Sequence, residues 1–337
     1  MSSDRKSQCI VIAGASSLLG GELKAVLEES RFAGWDLRLV DEEQAAGTLT
    51  EAAGEAAVIQ PVEEDTFRGA RYAFLAGSTA FGNQCVGPAR KAGATIIDFT
   101  YATLSDPDAT PWFPQIEMLT GKTVARHGKT FNVFSAAGTA ATSLALILRR
   151  FGLQRMFAVM FRPVSESGRP GIEELETQTS QLLSFQSLGS PVFGTQAAFN
   201  LLPRFAPDSK QDVPRETAEI RAELSAALDG VNEDAKVSLN LVHVPVFYGL
   251  TFSACADLRE GVDIAKLSSA FQEAGWVIAG SEEAAPSNVS VAGESQLFMS
   301  EPRADLSRAG SWWFWGAADN LRLPAASGVR LADWLEG

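Results

Sequence analysis

A strand, a glycine-flanked turn and a helix follow one another near the start of the chain, and this order constrains the fold more than any other feature. Residues 9–13 (Cys-Ile-Val-Ile-Ala) form a short continuous apolar run, which is typical of a strand covered on both faces in a parallel sheet. Small and apolar residues fill the turn at 14–20, and apolar residues then recur at helical spacing over 21–29. The order predicts a βα unit of a parallel sheet.

The same alternation continues over roughly the first 130 residues. Further strands are predicted at 36–40, 73–76 and 95–98, with a helix at 84–92. Residues 41–57, which are rich in glycine, alanine and acids, suggest a loop or insertion. Alternating strands and helices predict a doubly wound, Rossmann-like α/β domain.

The second half has a different pattern. The predicted elements are helices at 140–151 and 171–185, strands at 156–164, 236–247 and 251–258, and a closing helix at 319–335. The runs at 236–247 and 251–258 suggest mostly antiparallel strands, so we expect an α+β domain with a mostly antiparallel or mixed sheet. The change of pattern separates an expected first domain, residues 1–133, from an expected second domain, residues 134–318. The aromatic run at 312–315 suits a core face, a dimer interface or a cover for a cleft.

The turn from Gly14 to Gly20 is a candidate phosphate-binding site. Glycine allows backbone N–H groups to approach a pyrophosphate, and a helix N-terminus favours its negative charge. The turn does not satisfy the G-x-G-x-x-G fingerprint of dinucleotide-binding proteins, although its strand–turn–helix context is correct. An ordinary βα turn of small residues therefore remains the alternative.

Three acidic residues, Asp41, Glu42 and Glu43, follow the second predicted strand. A carboxylate at this place typically accepts a hydrogen bond from a ribose 2′-hydroxyl, whereas an arginine accommodates a 2′-phosphate. Three carboxylates would repel a 2′-phosphate, so NAD is favoured over NADP if a dinucleotide binds. A solvated acidic loop is the alternative.

Composition excludes several classes of function. With 28 Lys and Arg against 41 Asp and Glu, the net charge of −13 argues against a nucleic-acid partner. Cys9, Cys85 and Cys255 are too scattered for a disulfide scaffold, and with His127 and His243 they lack metal-ligand spacing, so no metal is predicted. No apolar stretch is long enough to cross a bilayer. We therefore expect a cytoplasmic protein without a membrane partner.

Several segments together, in order along the chain, resemble the aspartate-semialdehyde dehydrogenase family. Residues 11–20 resemble its G-A-T-G-x-V-G turn, with Ser17 in place of the middle glycine. Residues 73–78 and 95–98 resemble the next two strands of its nucleotide domain. Further matching segments are 171–175, 196–203, 244–247 and 318–322. The resemblance implies an NAD(P)-binding domain and a second domain that carries substrate groups and a homodimer interface. It also implies that residues 319–337 return to the first domain.

Family members reductively dephosphorylate β-aspartyl phosphate to the semialdehyde through a thioester on cysteine. The resemblance implies NAD or NADP as the cofactor and places Asn320 beside the nicotinamide; the absence of any cofactor also remains open. The implied cofactor contacts are Gly14, Ser16, Ser17, Leu18, Leu19, Gly20, Asp41, Ala76, Gly77 and Asn320.

At the family's catalytic positions this sequence has lost most of the reactive side chains. The nucleophile motif P-N-C-[ST]-T falls on residues 135–139, just before the helix predicted from residue 140, so Ala137 holds the cysteine position. Leu250 holds the position of the catalytic histidine, and His243 that of the arginine that binds the substrate carboxylate. Leu104 replaces the phosphate-binding arginine. An alanine offers no lone pair for a thioester.

Two charged residues fall on the remaining family positions. Arg162 stands where a glutamine supports the nucleophile, and Glu219 where an acidic residue contacts the substrate amino group. A buried Arg162–Glu219 ion pair in place of the active site is one expectation; two unrelated exposed charges are the other.

These substitutions lead us to expect a homologue that has lost the family reaction and acts as a nucleotide- or protein-binding homodimer. An active NAD(P)-dependent oxidoreductase with non-thioester chemistry is the alternative, in which Arg162, His243 and Glu219 bind and protonate a carbonyl compound. A purely structural or interaction protein without a small-molecule ligand is a second alternative.

Overall fold

The computed structural model describes residues 8–52, 54–209, 211–228 and 236–337. In chain order the elements are β1 (Cys9–Ala13), α1 (Leu18–Glu28), β2 (Asp36–Asp41), β3 (Leu49–Ala52), β4 (Glu55–Val58), β5 (Gln60–Pro61), β6 (Tyr72–Leu75), α2 (Thr79–Lys91), β7 (Thr95–Asp98), β8 (Thr110–Trp112), α3 (Ile116–Thr120), β9 (Thr130–Val133), α4 (Ala136–Arg149), β10 (Arg155–Arg162), a 3-10 turn (Val164–Ser167), α5 (Gly168–Leu183), α6 (Val213–Leu228), β11 (Lys236–His243), β12 (Leu250–Asp257), α7 (Ile264–Glu273), β13 (Val277–Ala279), β14 (Phe298–Ser300), β15 (Arg303–Ala304), β16 (Ser311–Ala318) and α8 (Arg322–Glu336).

The chain divides into two compact units. The first runs to Pro114 and includes Thr123–Phe134 and Pro324–Gly337, and the second consists of Gln115–Lys122 and Ser135–Leu323. The second unit thus takes residues 115–122 and 319–323, which the sequence-based boundaries give to the first. Leu119 packs against the second core, which accounts for the first of these differences.

The first unit contains a seven-stranded sheet in the order β5-β2-β1-β6-β7-β9-β8, and every paired neighbour is parallel. The predicted Rossmann-like parallel sheet is therefore confirmed. From β1 the chain first adds β2 on one side and later adds β6 on the other. The strand order therefore reverses between β1 and β6, and ligands of open α/β sheets bind at such a point.

The structure refines two local expectations for this unit. Of the two forms expected for residues 41–57, a loop or an insertion, the structure has an insertion, because β3 and β4 form an antiparallel hairpin as a sheet of their own, in which Leu49 lies opposite Val58. Small and acidic residues dominate this hairpin, so no apolar alternation marks it in the sequence. Helix α1 begins at Leu18 rather than near Gly21, because the Ser17 hydroxyl accepts a hydrogen bond from the Gly20 N–H and caps the helix.

The second unit contains a mixed sheet with the main order β11-β10-β12-β16-β14-β13, and β15 pairs with β16. The predicted strands at 236–247 and 251–258 are present but are not neighbours, because β10 lies between them. Strand β10 pairs parallel with β11 and antiparallel with β12. Strands β10 and β11 are far apart along the chain, and no local sequence pattern marks their parallel pairing. Of the two expected forms of the sheet, mostly antiparallel or mixed, the mixed form is confirmed.

The two faces of this sheet differ. Met156, Met160 and Phe252 point into a core that also contains most of α4. Trp312 and Phe314 are buried as well, whereas Trp313 and Trp315 alternate to the outer face and are 39% and 38% exposed. Across the described ranges, no helix is both long and apolar enough to cross a membrane.

Candidate functional site

The glycine turn of the first unit lies at the point where the strand order reverses. Gly14 has φ of 93°, and a Cβ on it would lie 2.2 Å from the backbone nitrogen of Gly77. Only glycine fits this backbone conformation and this close approach. The turn after β1 and the end of β6, with Ala76 and Gly77, are thus in direct contact, as a dinucleotide-binding crevice requires.

Ser17 replaces the middle glycine of the family turn and uses its side chain inside the protein. Its hydroxyl donates a hydrogen bond to the Ala76 carbonyl at 2.8 Å and accepts one from the Gly20 N–H at 2.8 Å. The amides of Leu18 and Leu19, at the first two positions of α1, have no partner available within their own helix. They are the backbone donors of this turn that suit a phosphate oxygen.

Asp41, at the end of β2, faces the same turn. Its carboxylate accepts hydrogen bonds from the backbone N–H groups of Ser16 and Glu42, both at 2.8 Å. Glu42 accepts a further hydrogen bond from the Ser78 hydroxyl at 2.9 Å. Two carboxylates therefore border the turn, with Asp41 buried and bonded to it.

The position that the sequence resemblance assigns to the nucleophile, residue 137, lies in the first turn of α4. The helix begins at Ala136, earlier than the expected residue 140, because the Ser135 hydroxyl accepts a hydrogen bond from the Gly138 N–H at 3.0 Å. Ala137 is buried and presents only its methyl group. A nucleophile here would sit at a helix N-terminus, where thiol pKa values fall, but no thiol is present.

Glu223 from α6 is bound at this helix start. Its carboxylate accepts hydrogen bonds from the Ser135 N–H at 2.7 Å and from the Ser135 hydroxyl at 2.9 Å. A Cβ on Gly138 would lie 1.6 Å from the Glu223 Oε2 atom. The carboxylate thus fills the space that any side chain at position 138 would need.

Arg162 and His243 lie side by side at the ends of the parallel strands β10 and β11. Both contact Glu216: the Arg162 Nη1 atom donates to its Oε2 atom, and His243 Nε2 lies 3.2 Å from the same oxygen. Glu166 accepts a second hydrogen bond from Arg162, through Nη2, at 2.7 Å. Burial opposes the charge of Glu216, but attraction to Arg162 and the hydrogen bond and charge of His243 outweigh it and lower the pKa of Glu216.

Asn320 follows β16 and is tied to the same end of the second sheet. Its side-chain oxygen accepts a hydrogen bond from the Gly249 N–H at 2.9 Å, and its amide group donates to Ser165 Oγ at 3.1 Å and to Glu166 Oε1 at 3.2 Å. The neighbouring Leu250, in the family's histidine position, is fully buried in the apolar core.

The expected Arg162–Glu219 ion pair is wrong in its acidic partner. Glu219 pairs with the exposed Arg215 at 2.9 Å, whereas Glu216, three residues earlier, contacts Arg162. Glu219 projects elsewhere because the face of α6 that packs inward runs through Ile220, Glu223 and Leu224. Leu104 lies in the first unit, in the turn after β7.

The three cysteines do not have the lowered thiol pKa that is typical of a catalytic nucleophile. Burial raises the pKa of Cys85 to about 12 and that of Cys9 to about 11. Burial also raises the pKa of Cys255, which points to the outer face of the second sheet, away from Arg162 and His243. Among the described residues, no three His, Cys, Asp or Glu side chains are placed to hold a metal ion.

Three carboxylates of this site, Glu166, Glu216 and Glu223, were not predicted from the sequence. Glu216 and Glu223 are seven residues apart in a segment with apolar residues at helical spacing, so their common helix face was readable. Glu166 stands four residues after Arg162. Which cation or helix end each carboxylate meets depends on contacts between distant segments.

Comparison with known proteins gives a consistent family. Residues 9–120 match the family described as semialdehyde dehydrogenase, NAD binding domain, and residues 144–323 match semialdehyde dehydrogenase, dimerisation domain. An aspartate-semialdehyde dehydrogenase of Rickettsia bellii is 25% identical over 338 residues, covering 98% of both chains. A USG-1 protein homolog of Pseudomonas aeruginosa is 25% identical over 321 residues, covering 94% of each chain.

Solved structures show the same fold. The crystal structure of aspartate semialdehyde dehydrogenase II complexed with ASA from Vibrio cholerae matches with a TM-score of 0.85 at 23% identity and covers 98% of both chains. The family match spans both units of the chain, and its two domain descriptions correspond to the parallel-sheet and mixed-sheet halves. The chain therefore belongs to the semialdehyde dehydrogenase family.

Proposed function

We propose that this protein is a family member that has lost the phosphorylating reductive reaction and functions as a nucleotide-binding homodimer. The observation that carries the proposal is the α4 helix start, where Ala137 stands at the nucleophile position and a protein carboxylate, Glu223, lies beside it. A methyl group cannot attack a carbonyl or form a thioester. Removing a covalent nucleophile costs several powers of ten in rate in well-studied hydrolases.

The substrate-binding charges support the same conclusion. Arg162 is the cation at this end of the second sheet, and two carboxylates of the protein, Glu216 and Glu166, already bind it. A substrate carboxylate would have to displace one of them. Leu250 gives no group for proton transfer at the family's histidine position.

The first unit supports nucleotide binding, and its acidic residues favour NAD over NADP. The Leu18 and Leu19 amides suit a pyrophosphate, while Asp41 and Glu42 border the turn where a ribose would lie. A 2′-phosphate there would meet the negative charges of these two carboxylates. We expect NAD to bind and NADP to bind more weakly.

The outer face of the second sheet supports a homodimer. Phe157, Cys255 and Trp313 lie in register across three adjacent strands, as do Val159, Ser253 and Trp315 on the same face. Exposed apolar faces of this kind mark protein interfaces. The matched dimerisation domain covers these strands. Trp313→Arg should convert the dimer to a monomer in analytical ultracentrifugation, whereas Leu49→Arg, at an exposed leucine of the first unit, should not.

An active oxidoreductase with non-thioester chemistry is the second candidate, because Arg162 and His243 do converge. Their common partner, however, is Glu216 and not Glu219, and its carboxylate already occupies the arginine. A purely structural role is the third candidate. The relatives do not distinguish these functions, since a dehydrogenase and a USG-1 protein homolog have the same sequence identity to the chain, 25%.

An activity assay with a positive control tests the proposal. The purified protein is incubated with aspartate semialdehyde, phosphate and either NAD or NADP, beside the dehydrogenase of Rickettsia bellii. We expect no reduced cofactor above the enzyme-free rate with this protein and steady formation with the control. Turnover of about 1 per second, within the ordinary range for enzymes, would refute the proposed loss of activity.

Nucleotide titration separates the nucleotide-binding role from a purely structural one. NAD binding to the folded state should raise its unfolding free energy by about 2.7 kcal/mol at a hundredfold excess over Kd. NADP at the same molar concentration should raise the unfolding free energy by a smaller amount. An unchanged melting temperature with both nucleotides at millimolar concentration would favour the structural role.

A further inference from the structure

Helix α6 brings two carboxylates to the degenerate site from one face. Glu216 and Glu223 are seven residues apart, two helical turns, so about 10.5 Å of helix separates them. Glu223 is 2% exposed and meets the start of α4, and Glu216 meets Arg162 and His243. One helix thus supplies an anion both to the cation of the site and to the nucleophile helix.

The cluster around Glu216 is built like an occupied carboxylate site. The side chains of Arg162 and His243 are 10% and 3% exposed, and both approach the same oxygen of Glu216. A charge-assisted contact of this kind is what an arginine makes with a bound carboxylate ligand. Phe205 packs against the His243 ring, with 4.4 Å between ring centroids, and closes the cluster on that side.

His243 also retains an unused hydrogen-bonding atom. Its Nδ1 atom is buried and has no hydrogen-bond partner among the described residues. Buried polar atoms are nearly always paired in native proteins, and an unpaired one asks for a ligand or water to satisfy it. The cluster therefore combines a cation, Arg162, that is already paired with a carboxylate and a ring nitrogen, His243 Nδ1, that could form a hydrogen bond with a small polar ligand.

We propose that α6 acts as a built-in ligand: the Glu216 carboxylate holds the Arg162–His243 pair as a bound small carboxylate would, and closes this site to anionic small molecules. Removing that carboxylate should turn the cluster into a binding site for a small carboxylate such as formate. The inference rests on, and deepens, the proposed loss of the family reaction, since it explains why an anionic substrate finds no free clamp. Any ligand that the intact second unit binds at this cluster is then not an anion.

Chemical rescue tests this proposal. Glu216→Ala removes the carboxylate and leaves a space beside Arg162, so sodium formate should raise the unfolding temperature of the variant above its value in equal sodium chloride. At formate tenfold above Kd the rise should be roughly 3 °C. The wild-type protein should show no difference between the two salts.

Two variants serve as matched controls. Glu216→Gln removes the charge but fills the same volume, so formate should not stabilise it. Glu219→Ala removes a carboxylate from the same helix whose partner, Arg215, is exposed, and it should behave like the wild type. Isothermal titration of formate into folded Glu216→Ala should show binding that the added substitution Arg162→Met abolishes.

Other results would overturn the proposal. A folded Glu216→Ala variant that does not respond to formate, or a wild-type protein that responds equally, contradicts it. If Glu216→Ala does not fold in chloride, its refolding yield should recover in formate, and equal failure in both salts also contradicts the proposal. Activity of the wild-type protein in the dehydrogenase assay would instead refute the proposed loss of activity, so the two failures are distinguishable.

Discussion

Two helix starts in this protein, α1 in the first unit and α4 in the second, meet carboxylates of the protein itself in different ways. At α1 the carboxylate of Asp41 accepts hydrogen bonds from the Ser16 amide, ahead of the helix, and from Glu42, rather than from the first helical amides of Leu18 and Leu19. At α4 the carboxylate of Glu223 binds both the amide and the hydroxyl of the capping Ser135. The first arrangement leaves donors for a ligand, whereas the second supplies the anion internally.

The difference separates cofactor binding from chemistry. A nucleotide-binding turn can still bind phosphate when one bordering amide is hydrogen-bonded to an aspartate, because its other amides can donate to the phosphate. The nucleophile position has no alternative group, because the reaction needs one particular atom at one place. The same family fold can therefore retain the first function after the second is lost.

The largest predicted effect tests how tightly Glu223 fits at α4. Gly138→Ala places a Cβ 1.6 Å from Glu223 Oε2 and must move the carboxylate away from Ser135. Separating a buried charge from its partners should lower the free energy of unfolding by about 3–5 kcal/mol, measured by urea denaturation. Gly21→Ala in α1 is the control: its Cβ meets nothing within 4 Å, so stability should rise by about 0.5–1 kcal/mol. A loss below about 1 kcal/mol for Gly138→Ala would contradict the described position of Glu223.

The two capping serines should differ by a smaller amount. Ser135→Ala removes a cap and one hydrogen bond to Glu223, so we expect a loss of about 2 kcal/mol. Ser17→Ala removes a cap and a hydrogen bond to an uncharged acceptor, the Ala76 carbonyl, so we expect a smaller loss of about 1 kcal/mol. Thermal or urea unfolding measures both, and the conservative changes to threonine should recover most of each loss. Equal losses of stability in the two variants would contradict the proposed difference between the two helix starts.

A smaller change is expected in nucleotide preference. Asp41→Asn keeps an acceptor for the Ser16 amide but removes the negative charge, so the NADP-to-NAD ratio of Kd values should fall about tenfold, or about 1.4 kcal/mol. Calorimetric titration with both nucleotides gives the ratio. Glu43→Gln, at an exposed neighbour, should leave it unchanged. A ratio that stays constant in Asp41→Asn would mean that Asp41 does not select the ribose.

The smallest effect concerns pH. The pKa of Glu216 is lower in the folded protein than its ordinary value of 4.5, so its contribution to stability is complete above that value and disappears as pH falls through the folded pKa. Unfolding free energy measured from pH 6 downward should therefore decrease less steeply in Glu216→Gln than in the wild type. Parallel curves for the two proteins would show that Glu216 does not contribute to acid sensitivity.

Local features of the fold were predictable from the sequence. The apolar run of β1 and the small residues after it determine a strand, a tight turn and a helix within twenty residues. The substitutions at Ala137 and Leu250 were equally readable, because each concerns one position in a recognisable segment. The burial of both residues agrees with the absence of a reactive side chain.

Long-range pairings were not predictable. Whether Arg162 meets Glu216 or Glu219 depends on the rotation of α6 over the sheet, and the two acids differ by three residues, or most of one helical turn. The insertion of β10 between β11 and β12 also follows from packing far along the chain. The β3–β4 hairpin lacks the apolar alternation by which strands are usually recognised.

The side-chain amide of Asn320 has a consequence for judging function from single residues. Its oxygen and both of its protons join the loop before β12 to the turn after β10, so the local architecture depends on this asparagine whether or not a nicotinamide ever approaches it. Selection for folding alone is enough to preserve it. The presence of Asn320 is therefore compatible with an inactive protein as well as with a working enzyme, because its structural hydrogen bonds alone account for it.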